Sequence, residues 1–215
     1  MAHVSVEERR PQLVSAAIAL MKREGAHAAS TRAVAAELGV AQATVHYVFG
    51  SKEEMYRAVI MKLTDDLVAY VQAVDVPEFP DFEQCLAVLV NRLWQSLLDD
   101  PYAHLLLTEL SVLALRSPTL KALVEDHRMV VDHVTGSLIR TTAGRAGVEL
   151  LNDPILVAQF FLAGFDGMTQ QHLAAPHPEA ERWRVESLIS ATTVLAIGTP
   201  LQRSVPSVRE ADPLT

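Results

Sequence analysis

Apolar residues return every three or four positions through nearly the whole chain, and nowhere do they alternate over a run long enough for a strand. That spacing confines the fold to packed helices. Leu13, Ala16, Ala17, Leu20 and Met21 trace one face of a first helix, which Gly25 stops. Ser30 is placed to cap a short second helix, with Thr31, Val34, Ala35 and Leu38 on its inner face and Gly39 at its end. A third helix starts at Ala41. After Gly50, Ser51 and Glu54 read as a capping box, Ser51 bonding forward and Glu54 back. The long fourth helix that follows carries Met55, Val59, Leu63 and Leu67 on one face.

The stretch "DVPEFPD" (75–81), with prolines at 77 and 80, is the sharpest break in the pattern. Beyond it one helix runs through Leu86, Leu89, Leu93, Trp94 and Leu97, and another follows Asp100-Pro101. Ser117-Pro118 opens a third, striped by Leu120, Val124, His127, Val131, Val134 and Leu138. Asn152-Asp153-Pro154 opens the next, and Pro176-His177-Pro178 separates it from the last, which ends near Gly198. The expected division is a domain over 7–67, a second over 76–198, and a loosely ordered tail over 199–215.

Of the 215 residues, 50% are hydrophobic and only 6% aromatic, so Leu, Val and Ala must fill a sizeable core and general disorder is excluded. Charged residues or His interrupt every apolar run before it could span a bilayer. The first residues, "MAHVSVEERRPQ", lack the apolar segment of a secretory signal. With Cys85 alone no internal disulfide can form, and a cytoplasmic location is expected. The net charge of −8 is unevenly spread. Residues 1–52 hold six Lys/Arg against four Glu, and the remainder holds 12 Lys/Arg against 22 Asp/Glu. A mildly basic head on an acidic body suits a protein that presents one end to a polyanion.

Signatures of enzymes are missing from the chain: it has no Gly-rich phosphate loop, no H-E-x-x-H and no nucleophile elbow. His104, His127 and His133 do not place two ligands on one helix face, so neither a metal site nor a cofactor is expected. Cys85 shares a helical spacing with Phe82 and Leu89 and reads as core.

"VAQATVHYVFGSKEEM" (40–55) carries the functional signal. On a helix, Gln42, Ala43, His46 and Tyr47 occupy one arc and Thr44, Val45, Val48 and Phe49 the other. The second arc is a packing face. The first offers an amide able to pair with adenine and a methyl able to meet thymine. Two helices joined by a tight Gly-containing turn form the helix-turn-helix arrangement. On this arc alone, a solvated surface helix explains the pattern equally well.

The segments "AAIALMKREG", "STRAVAAELGV" and "TVHYVFGSKEEM" lie in a region, about 10 to 67, that resembles the DNA-binding domain of the TetR family of bacterial transcriptional regulators. The chain departs from the family at His46, where Tyr is usual, and at Val48, where His is frequent. The resemblance implies that Ser30 and Arg32 meet the DNA backbone and groove edge, that Gln42 and Ala43 face base edges, and that Thr44, Tyr47 and Lys52 hold phosphates. His46 would then alter sequence preference. The amides at the start of helix four also suit a phosphate.

For the body, the resemblance implies a helical dimerisation and effector-binding domain. "VAQFFLAGFDGM" is apolar nearly all round, so burial on both sides is expected. Gly164 and Gly167 fit a four-helix dimer interface within 152–198, although a place inside one chain's own core fits them too. Trp94, Tyr102, Met129, Phe161 and Phe165 are candidates to line an apolar effector cavity. His127 is either a polar contact in that cavity or a satisfied core histidine. The expectation is therefore an all-α homodimeric regulator, a repressor released from double-stranded operator DNA by a small apolar effector. A helical ligand-binding or scaffold protein that has lost operator binding is the alternative, kept open by the acidic charge and the departures at His46 and Val48.

Overall fold

Nine α-helices and no strand make up residues 6–74 and 81–198, which are the residues the computed structural model describes. The expected break at 75–80 and the tail at 199–215 lie outside them. The helices are α1 (Val6–Glu24), α2 (Thr31–Leu38), α3 (Gln42–Phe49), α4 (Lys52–Gln72), α5 (Phe82–Asp99), α6 (Pro101–Ala114), α7 (Pro118–Ala146), α8 (Pro154–Ala174) and α9 (Pro178–Thr193). A short turn of 3-10 helix, Ala26–Ala28, follows α1, and a π-helical turn, Val194–Gly198, extends α9. None of these helices is long and apolar enough to cross a membrane.

The caps follow from local chemistry. Ser30 Oγ accepts from the Ala33 amide at 3.1 Å, and Ser51 Oγ from the Glu54 amide at 3.1 Å. Glu54 does not complete the expected capping box: its carboxylate lies 3.6 Å from Arg57, whose charge draws it down the helix rather than back. Gly39 ends α2 at φ 71°, a left-handed conformation a side chain resists, and turns the chain directly into α3. The helices α6 to α9 each begin with proline, preceded by Asp100, Ser117, Asp153 or His177 as cap.

Two apolar cores result. The first joins α1, α2, α3 and the start of α4 through fully buried Leu13, Ala17, Val34, Val45, Met55 and Val59. It also takes in Leu106, Leu110 and Ala114 of α6. Polar contacts fasten the same seam. Glu109 of α6 accepts from the Ala26 amide at 2.8 Å, Tyr56 donates to the Ala26 carbonyl at 2.9 Å, and Lys22 pairs with Asp100. The α1–α2 corner is held by a two-pronged Arg23–Glu37 pair at 3.1 and 2.9 Å. That hydrogen bonding keeps the Glu37 carboxyl below its ordinary pKa.

The second core joins α5, α7, α8 and α9 around Phe82, Val90, Ile139, Val157, Phe161 and Ile189. Gly164 belongs to it: a Cβ at this position would lie 2.7 Å from Leu188 Cδ1 of α9 in the same chain. Of the two places the sequence leaves open for this glycine, the one inside the chain's own core is met by α9. Gly167 has no neighbour within 4 Å of such a Cβ. Nor is α8 buried on both sides within one chain. Leu156 and Phe160 are 44% and 45% exposed, and Trp183 of α9 and Val194 of the turn that extends it are 68% and 62% exposed.

Candidate nucleic-acid interface and effector cavity

Helix α3 divides as its sequence predicts. Val45 and Phe49 are buried and Thr44 and Val48 half-buried, while Gln42, Ala43, His46 and Tyr47 face outward. Tyr47 is 79% exposed, a large cost in wetted apolar surface for a helix with no outside partner. From beneath, the Arg10 guanidinium lies 5.3 Å from the Phe49 ring centre and donates to the Val48 carbonyl at 3.2 Å. This places a cation at the C-terminal end of α3, where the helix dipole favours one.

The outward arc is organised by a residue the sequence reading put elsewhere. Thr31, expected on the inner face of α2, is half-buried at the α2–α3 seam. Its Oγ1 accepts from Gln42 Nε2 at 3.1 Å and lies 3.3 Å from His46 Nε2. A hydroxyl immediately after the Ser30 cap is the only hint in the sequence, since the crossing of α2 over α3 decides what it meets. Ser30 itself is committed to capping, and Arg32 beside it is exposed. Lys52 opens α4 with its ammonium 5.2 Å from the Tyr56 ring centre, exposed and near the free amides of that helix.

In the body, an apolar cavity of about 110 Å³ lies between α4, α5, α7 and α8. Val71, Leu86, Val90, Leu138 and Phe161 are among its walls, and Thr64 and Thr135 are its only polar lining. Outside it, between α4 and α7, runs a groove of about 290 Å³. His127 lines this groove, its Nε2 2.8 Å from Thr64 Oγ1. Burial pushes its pKa down, and the nearby Asp65 carboxylate acts in the opposite direction.

The six residues expected in the cavity do not converge there. Phe161 lines it and His127 lines the groove. Phe165 packs behind Phe161 at 6.0 Å between ring centres, and Trp94 meets Phe165 edge-on at 6.1 Å and His172 at 5.5 Å. Tyr102 is 60% exposed on an open cleft between α1, α4 and α6, and Met129 is 56% exposed. Neither lines the cavity or the groove. His104, weighed in the sequence only as a metal ligand, is a buried histidine. Ser96 Oγ donates to the Leu93 carbonyl at 2.6 Å, so at 3.1 Å it must accept from His104 Nε2. Burial pushes the His104 pKa down, with Asp100 acting the other way.

A short helix exposing an amide, an imidazole and a phenol, set across a glycine turn and joined to an all-helical body with an apolar cavity, defines a ligand-responsive DNA-binding transcriptional regulator. Residues 13–59 match the family model of bacterial regulatory proteins, tetR family. That match, with the relatives below, supports membership of the TetR family. Over 87% of its length it is 25% identical to the nicotine-responsive transcriptional repressor HdnoR of Paenarthrobacter nicotinovorans, covering 95% of that protein. It is 37% identical to the regulator BetI of Rhizobium meliloti over 73 residues, which are 32% of this chain and 36% of BetI. Among solved structures, the multidrug binding protein EbrR complexed with ethidium is 26% identical, with a TM-score of 0.68 over 88% of this chain and 99% of that one. A regulator from Rhodococcus sp. shares the fold at a TM-score of 0.71 and 18% identity, over 88% of this chain and 99% of that one.

Proposed function

We propose that the chain works as a cytoplasmic homodimeric repressor that leaves its operator when a small, largely apolar effector enters the body. The observation that carries this reading is the split of α3, with Val45 and Phe49 locked in the core and Gln42, Ala43, His46 and Tyr47 left bare. In the reading, Gln42 and Ala43 meet base edges, and His46 sets preference beside them. Ser30, Arg32, Thr44, Tyr47 and Lys52 hold the backbone, a term that fixes register and salt dependence rather than sequence.

Support for dimerisation comes from the large apolar side chains left exposed on the last two helices, Leu156 and Phe160 on α8, Trp183 on α9 and Val194 in the turn after it. Each of these side chains would contribute about 1.5–3 kcal/mol if fully covered by a second copy. Two heads on one palindromic site then supply the contacts that a single short helix lacks. The repressor character and the apolar effector draw support from HdnoR, a nicotine-responsive repressor, and from EbrR, a multidrug binding protein that forms a complex with ethidium. Release would act through α4, the continuous element from the head at Lys52 to the cavity wall at Val71. A gel shift with the DNA upstream of the protein's own gene tests the reading. A shifted band, competed by the same duplex and not by random DNA, is the expected result; no shift at low salt would leave the ligand-binding scaffold as the better description.

A further inference from the structure

The cavity and the groove outside it share a wall. Thr64 and Val68 of α4 and Val131 and Val134 of α7 line both. The two spaces differ in chemistry. The inner one, of about 110 Å³, offers two threonine hydroxyls and otherwise hydrocarbon. It approaches the size of the ~150 Å³ void that takes up benzene in an engineered core. The outer one carries Asp65 from α4 and Asp126 from α7, with Arg57 as its fixed cation. Arg57 lies 3.6 Å from Glu54, so its charge is matched by a carboxylate that is not part of the groove lining. Neither Asp65 nor Asp126 takes part in an ion pair among the described residues. His127 adds no standing positive charge, since burial disfavours its protonated form.

We propose that the two spaces form one bipartite effector site, which takes a ring-sized apolar group inside and a cationic amine in the groove beside Asp65 and Asp126. The inference rests on the ligand-responsive reading above and narrows the effector to an apolar amine. The Thr64–His127 hydrogen bond stands where the two spaces meet, so a ligand spanning them must part α4 from α7 or replace that bond. Thr64 and Asp65 are on α4 itself, which places the ligand's charge on the helix whose first turn abuts α3.

The test uses the full-length protein and three probes with a common phenylbutyl tail: phenylbutylamine, phenylbutanol and phenylbutyrate, titrated calorimetrically. The amine is expected to bind tightest and the carboxylate weakest. Asp65→Asn and Asp126→Asn should each weaken the amine by about three- to fivefold, the size of an exposed ion pair, and leave the alcohol unchanged. Val90→Phe, which fills the inner space, should weaken amine and alcohol alike. Equal affinities for amine and alcohol, or an amine affinity untouched in the double Asn variant, would overturn the proposal. So would failure of all three probes to bind a cooperatively melting protein. A gel shift on the same preparations separates the two readings: a protein that binds the amine but no DNA fails as a regulator while keeping this site.

Discussion

Gln42 Nε2 and Thr31 Oγ1 lie 3.1 Å apart, so the first exposed amide of α3 is held by a hydroxyl from α2. The bond takes one of two amide hydrogens. The other hydrogen and the carbonyl oxygen stay free, the pair that adenine's N7 and N6 require. Thr31→Val keeps the shape and removes the bond, together with the contact to His46. Operator affinity should fall by about tenfold while random DNA binds as before, because a free amide pays to choose one orientation. Fluorescence anisotropy on the two duplexes measures this. An equal loss on both would assign Thr31 to the fold alone.

Lys52 and Gln42 should separate backbone holding from reading. Lys52→Ala is expected to weaken all duplexes alike and lower the salt slope by about one unit per lost phosphate contact. Gln42→Ala should cost about 1–3 kcal/mol at one operator position and leave the slope alone. Binding measured from low to high salt on operator, single-substituted operator and random DNA distinguishes them.

The α8 face gives two variants with opposite consequences. Gly164→Leu drives a side chain into Leu188 of the same chain, so it should lower Tm through overpacking of about 1–3 kcal/mol. Phe160→Glu alters an exposed apolar side chain and should yield monomer by sedimentation without that packing strain. Monomer from Gly164→Leu at unchanged Tm, with Phe160→Glu still dimeric, would move the interface elsewhere.

Stability should also respond to pH through His104. Burial lowers its pKa in the folded state, whereas the unfolded imidazole titrates at about 6.5. Below that value the unfolded chain takes up a proton that the folded chain refuses, so stability is complete above about pH 6.5 and declines as pH falls. His127, shifted in the same direction, adds to the decline. His104→Gln should flatten Tm between pH 7 and about 5.5, a window above the range where ordinary carboxylates titrate, at about 3.9–4.3. An unchanged profile in the variant would mean that His104 does not set this dependence.

What the sequence disclosed divides along a physical line. The arcs of α3, the Ser30 and Ser51 caps, the Gly39 turn and the proline starts are local, set by 3.6-residue periodicity and by the chemistry of one turn. What meets what across helices is not local. The partners of Thr31 are not legible because they come from another helix, and Gly164 stays open between two places because a glycine signals close approach without naming the approaching helix. Aromatic residues are the sequence's candidates for the cavity, yet Val, Leu and Thr build most of it, and the side chains of Trp94 and Phe165 pack on one another instead. Aromatic identity marks bulk to be buried, not the place where bulk is lacking.

Leu106, Leu110 and Ala114 complete the core of α1 to α4 from a helix that follows the proline-rich break. A chimaera that joined this head to another regulator's body at that break would carry only part of a core. The foreign α6 would have to complete the apolar core of α1 to α4 and supply a carboxylate for the Ala26 amide. Exchange of DNA specificity between such proteins therefore has its true seam on the outer surface of α6, and a transplant that brings this helix along should keep both its fold and its site.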